Sequence, residues 1–121
     1  MRLLFEVSAP VQARVEEVRA LIDSDWLIGS MLSEGERAYV DVDRRPGRLG
    51  IQGHWWYRGE ISAEEAPGGR TRLVQRVFNI ARRGAWAVPL ANRFFIGIRP
   101  KLQHTTEELA RRIEQHLAGT G

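Results

Sequence analysis

Residues 90–117, LANRFFIGIRPKLQHTTEELARRIEQHL, decide the fold. Leu90, Phe94, Ile98, Leu102, Thr106, Leu109, Ile113 and Leu117 recur at spacings of 4, 4, 4, 4, 3, 4 and 4. That spacing places all eight on one face of an α-helix. The stripe therefore predicts a terminal helix of up to about 28 residues, roughly 42 Å long if straight. Pro100 lies inside it, lacks an amide proton and crowds the preceding turn, so a kink or break is expected there. Thr105 and Glu108 have capping-box spacing, which suits a fresh start after a break. Gly119 closes the segment.

Upstream of the stripe the chain reads as extended. Ala66-Pro67-Gly68-Gly69 is a hairpin turn between two runs, 49–65 and 70–81. In the first run Ile51, Trp55, Tyr57, Ile61 and Ala63 share one parity, and Gln52, His54, Trp56, Arg58, Glu60, Ser62 and Glu64 the other. It is expected to be one long strand bent at Gly50, Gly53 and Gly59. Before it, Ala38, Val40 and Val42 alternate with Tyr39, Asp41 and Asp43, a half-buried strand, and 44–48 supplies the turn. At the start, Arg2 to Ser8 reads as a short strand. Ser8 is the expected N-cap and Pro10 the expected first turn of a helix whose stripe is Val11, Val15, Val18, Leu21 and Ile22. A second short helix covers 26–32. The order is β-α-α-β-β-β(-β)-α, an α+β domain with a terminal helix on an antiparallel sheet.

The chain has 121 residues, room for one domain and one core spanning 1–121. It has no cysteine, which removes disulfides, thiolate zinc sites and cysteine nucleophiles together. The apolar run at the N-terminus stops at Glu6, too short for a signal peptide, and no window approaches a membrane span, so the expected address is cytoplasmic. The net charge is only +3, and the sequence pI near 10.2 reflects arginine chemistry, since Lys101 is the sole lysine. No nucleic-acid partner is expected from so small an electrostatic footprint.

The order of elements is that of the helix-grip fold. Val7-Ser8-Ala9-Pro10-Val11 before an amphipathic helix resembles the opening of the START/SRPBCC superfamily, which includes polyketide cyclases and lipid-transfer domains. Gly53-His54-Trp55-Trp56-Tyr57-Arg58-Gly59-Glu60 and Arg76-Val77-Phe78-Asn79 resemble a small bacterial group within it. The resemblance implies a small hydrophobic or lipid-like ligand held without cofactor between sheet and terminal helix. It also implies a reduced sheet, because larger members carry six strands between the second and last helices and residues 36–82 leave room for three long or four short ones.

No catalytic constellation accompanies this pattern. His54, His104 and His116 fall on different predicted elements at no metal-ligand spacing. No nucleophile elbow, zinc-protease motif or phosphate loop is present. Asp41 and Asp43 point one way on a strand, and a solvated face explains them better than a shared cation. The candidate ligand-binding residues are Trp55, Tyr57, Gln75, Asn79, Trp86, Phe94 and Ile98. For Trp55 and Tyr57, plain core filling competes with lining a cavity. Gln75 and Asn79 are the polar groups of a mixed strand. Its other face, with Val74, Phe78 and Ile80, is either a pocket wall's reverse or a surface buried by a partner. Trp86 and Phe94 belong to an apolar approach flanked by Arg82, Arg83, Arg93 and Arg99, either core under the helix or a basic-rimmed mouth suited to a membrane surface. Trp56 and Phe78 would carry a homodimer. A cyclase or aromatase on the same scaffold, and a structural partner protein, are the alternative functions.

Overall fold

The computed structural model describes residues 2–32, 35, 40–53, 57–79 and 98–120. The elements are β1 (Arg2–Val11), α1 (Val15–Asp23), α2 (Asp25–Met31), β2 (Val40–Arg45), β3 (Arg48–Gly53), β4 (Tyr57–Ala66), β5 (Arg70–Asn79) and α3 (Ile98–Thr120). The five strands form one antiparallel sheet in the order β1-β5-β4-β3-β2. Among the described residues four strands separate α2 from α3, and the α+β class with a terminal helix on an antiparallel sheet holds.

The three helices among the described residues share one face of the sheet. Val15, Val18 and Ile22 of α1, Leu27 and Ile28 of α2, and Leu109, Ala110 and Ile113 of α3 join a single buried cluster. The sheet contributes Ala9, Val11, Leu49, Ile61, Ala63 and Leu73. Trp26 of α2 stacks on His116 of α3 with ring centroids 4.3 Å apart, a further tie between those helices.

Three expectations are corrected. The run 49–65 is not one strand but the hairpin β3–β4, which pairs Leu49 with Ile61 and Ile51 with Gly59. The glycines that were to bend one strand instead lie on two adjacent ones. Ser8 does not cap a helix and Pro10 does not begin one; β1 continues through Val11, and Arg14 occupies the N-cap of α1. The reason lies at the sheet edge. Gln103 of α3 donates from Nε2 to the Ser8 carbonyl at 2.8 Å, so Ser8's backbone faces away from β5. By alternation Pro10 faces the same way, and its missing amide proton costs β5 nothing. Glu114 accepts the Gln12 amide at 2.7 Å, so α3 covers this edge at two points.

The third correction concerns Pro100 and Thr105. α3 is continuous from Ile98 through Thr120, across Pro100. Thr105 starts no new helix; its hydroxyl donates to the Lys101 carbonyl four residues back at 2.9 Å. The stripe itself holds from Leu102 on, with Thr106, Leu109 and Ile113 buried and Leu102 and Leu117 half-buried. Leu90 and Phe94 lie outside the described residues.

The tight β2–β3 turn, Pro46–Gly47, depends on Gly47 at φ +71°. Its amide donates to Asp23 Oδ1 at 2.8 Å, and Arg44 Nη1 donates to the Asp23 carbonyl, so the end of α1 clamps the hairpin.

Candidate functional site

Among the described residues the buried cluster is centred on one part of the sheet's inner face, with Ile51 packed against it from the side. Antiparallel partners share a face, so the rows across the sheet can be read from the register. One row is Val7, Gln75 and Ile61; the next is Phe5, Val77, Gly59 and Ile51. The buried cluster includes Ile61 and the rows beyond it toward Leu73 and Ala63. Val7 and Val77 are also buried but stand outside that cluster.

At the boundary stands a polar pair. Thr106 of α3, only 1% exposed, has its hydroxyl 2.8 Å from Gln75 Oε1 and 2.8 Å from the Leu102 carbonyl. The hydroxyl has one proton for two acceptors. If that proton goes to Leu102, the half-buried Gln75 amide meets Thr106 with its NH₂ end and turns its oxygen elsewhere; otherwise it presents the NH₂. Either way one half of a neutral amide has no partner among the described residues.

Among the described residues, only the Ile51 carbonyl oxygen, at 3.9 Å, comes within reach of a side-chain atom built on Gly59 of the central strand β4. Next to it the register sets Tyr57 directly opposite Asn79. The structure therefore brings the positions of Tyr57, Gln75 and Asn79 onto one parity of adjacent strands, as the alternation required. Trp55, Trp86 and Phe94 lie outside the described residues. Ile98 enters only as the first position of α3, on the stripe that continues to Leu102 and Thr106.

The opposite face of the sheet is charged and self-paired. Arg76 joins β1, β5 and β4 by binding Glu6 at 2.6 Å, Glu64 at 2.9 Å and Ser62 Oγ at 3.3 Å. Arg58 joins β4, β3 and β2 by binding Asp43 at 2.7 Å, Gln52 at 3.3 Å and Glu60 at 3.5 Å. Hydrogen bonds from Arg72 and then Arg76 hold the Glu64 carboxyl below the usual carboxylate range. The carboxylates around Arg76 raise its already high pKa, against the burial that opposes its charge. Asp43 is thus an ion-pair partner, not half of a cation site, and the described residues contain no group of three or more potential metal ligands.

Val74 is fully buried within the single chain, between Arg72 and Arg76, and needs no partner to cover it. Phe78 is half-buried opposite Leu3, and Trp56 lies outside the described residues. His104 and His116, expected on separate elements, share α3; His104 pairs with Glu108 at 3.6 Å. An open depression of about 460 Å³ between Arg19, Arg48, Glu64 and Arg76 is lined mainly by charged groups, not by the apolar walls of a ligand pocket.

No protein-family model matches the chain, and neither does any curated protein or solved structure. Function must be argued from the geometry alone. Among the described residues no helix is long and apolar enough to cross a membrane.

Proposed function

We propose that this domain is a reduced helix-grip fold of the START/SRPBCC kind that binds a small hydrophobic or lipid-like molecule without covalent chemistry. The observation that supports this most is the uneven use of the inner face. Among the described residues the helices bury the rows from Ile61 to Leu73, while the next row, past the Gln75–Thr106 pair, has Gly59 on its central strand between Ile51 and the buried Val77. An apolar guest laid on Gly59 would meet Ile51 and Val77 on either side. The remaining half of the Gln75 amide would serve a neutral polar group, a hydroxyl or carbonyl, since its donor and acceptor ends can exchange by a flip. The element order supports the fold assignment, with four strands rather than six between the second and last helices.

Native mass spectrometry of the purified protein after incubation with a bacterial lipid extract tests the reading. An adduct is expected on the wild type and none on Gly59→Leu, whose side chain would stand between Ile51 and Val77. A wild type that stays bare, or an adduct indifferent to Gly59→Leu, refutes it.

A further inference from the structure

We propose that the depression of about 460 Å³ beside the β2–β3 turn binds a phosphoryl group, free or carried by a small molecule. The sheet itself creates the opening. Pairing of β3 with β4 begins at Arg48 opposite Ser62, and before Arg48 the Pro46–Gly47 turn leads back to β2. The next β4 carbonyl, that of Ala63, lies past the last β3 partner. Arg19 of α1 binds it instead, with Nε and Nη2 both donating to the Ala63 oxygen at 3.3 Å.

These two bonds fix the guanidinium at the rim of the depression. The Arg19 stem lies over Gly47, and Nη1 has no acceptor among the described residues. Arg70, Arg111 and Arg112 likewise lack an ion pair among the described residues, but no hydrogen bond there holds their guanidinium groups in place. Two more donors line the depression. Ser62 is only 9% exposed; its Oγ accepts from Arg76 Nη1 at 3.3 Å, and its own proton has no acceptor among the described residues. Arg48, its cross-strand partner, comes no closer to Glu60 than 3.6 Å. The two acids of the lining are engaged: Asp23 Oδ1 accepts the Gly47 amide, and Glu64 binds Arg72 and Arg76.

The free donors are therefore Arg19 Nη1, the Arg48 guanidinium and the Ser62 hydroxyl, brought together from α1, β3 and β4. Arg19 comes round the sheet edge from the helix side, while Arg48 and Ser62 stand on the opposite face. Donors converging from separate elements surround a tetrahedral oxyanion, whereas a planar carboxylate is matched by two parallel bonds from one guanidinium. The lining holds three arginines against two carboxylates, a surplus that favours an anion. A guanidinium already held in place loses little freedom when a ligand arrives, and the Ser62 proton gains an acceptor. The volume leaves room beside the phosphoryl group for part of a molecule that carries it. The site is separate from the Gly59 row, so it stands or falls independently of the apolar-ligand reading.

The test is an NMR titration of the full chain with inorganic phosphate and, separately, with glycerol 3-phosphate, at constant ionic strength. Saturable shifts are expected at the Gly47, Arg48 and Ala63 amides and at Arg19 Nε. Tighter binding of glycerol 3-phosphate identifies a phosphate ester as the ligand, and tighter binding of phosphate the free ion. Arg19→Gln and Ser62→Ala should each weaken binding about tenfold, the worth of one hydrogen bond to a charged group. Acetate should bind at least about tenfold more weakly than phosphate, for want of the third donor contact. The amide spectrum of each variant shows whether it folds. A wild type with no saturable shift around Gly47 overturns the proposal even if no variant folds. So does undiminished binding by folded Arg19→Gln, a set of shifts that sodium chloride alone reproduces, or acetate bound as tightly as phosphate.

Discussion

A single methyl group at Gly50 tests the account of the charged face. Gly50 is buried on β3 beneath the Arg58 guanidinium, and a Cβ there would lie 2.1 Å from Arg58 Nη2 and 2.7 Å from its Cζ. Those atoms end a flexible side chain, so Gly50→Ala expels the guanidinium rather than the backbone. Expulsion breaks the bonds to Asp43, Gln52 and Glu60, in a side chain only 13% exposed. One of the three is short and two are long, so the loss is about 2–3 kcal/mol in total, on the scale of bonds to charged groups. Replacing glycine in a strand returns about 0.5–1 kcal/mol. The net cost is about 1–2 kcal/mol, or roughly 4–8 °C in Tm for a domain of this size. Urea unfolding of Gly50→Ala, Arg58→Ala and the double variant decides the matter. With Arg58 truncated, Gly50→Ala should turn neutral or stabilising. An equal penalty in both backgrounds would show that the clash is not with Arg58 and would refute the reasoning.

Other outcomes follow from the same contacts. Glu64 has a lowered pKa in the folded chain, so its pairing with Arg72 and Arg76 stabilises above the unfolded carboxylate pKa and is lost as pH falls through the folded value. The Tm gap between wild type and Glu64→Gln, measured from pH 7 downward, should therefore shrink toward zero in acid; a gap that widens contradicts this. Thr106→Val keeps the shape but removes the hydroxyl from Gln75, and chemical denaturation should register a loss of about 1–2 kcal/mol. Pro10→Ala should change stability by less than about 1 kcal/mol, because the new amide faces the free edge, not β5. A larger loss in urea would mean that the strand is oriented otherwise. Gly47→Ala forces an alanine to φ +71° with its Cβ 3.2 Å from Arg19 Cγ, and thermal melts should show a destabilisation of about 1–2 kcal/mol.

Local patterns in the chain identify most of the elements because each depends on near neighbours. The α1 stripe of Val15, Val18 and Ile22, the short α2 and the buried spacing of Thr106, Leu109 and Ile113 are all periodicities of a single segment. The parity of β5 was not legible, since both of its sets mix polar and apolar residues; the register with β1 and β4 puts Leu73, Gln75 and Val77 inward and Arg72, Val74 and Arg76 outward. Of the candidate site, the shared parity of Tyr57, Gln75 and Asn79 follows from alternation, whereas the setting of Gly59 between Ile51 and Val77 depends on the register of three strands. The only local hint at Thr106 is a hydroxyl inside an apolar stripe.

What composition and periodicity determined by themselves is the class: an α+β chain with no cysteine chemistry and a terminal helix presenting one face. Tertiary structure decided what depends on residues far apart. Whether 49–65 is one strand or a hairpin turns on which backbone pairs with Ile51, and Pro10 could join a strand only because its nitrogen faces α3 rather than β5. The arginines show the same division. Their number is plain in the chain, but Arg58 and Arg76 became braces across five strands only when the register set carboxylates from neighbouring strands within their reach.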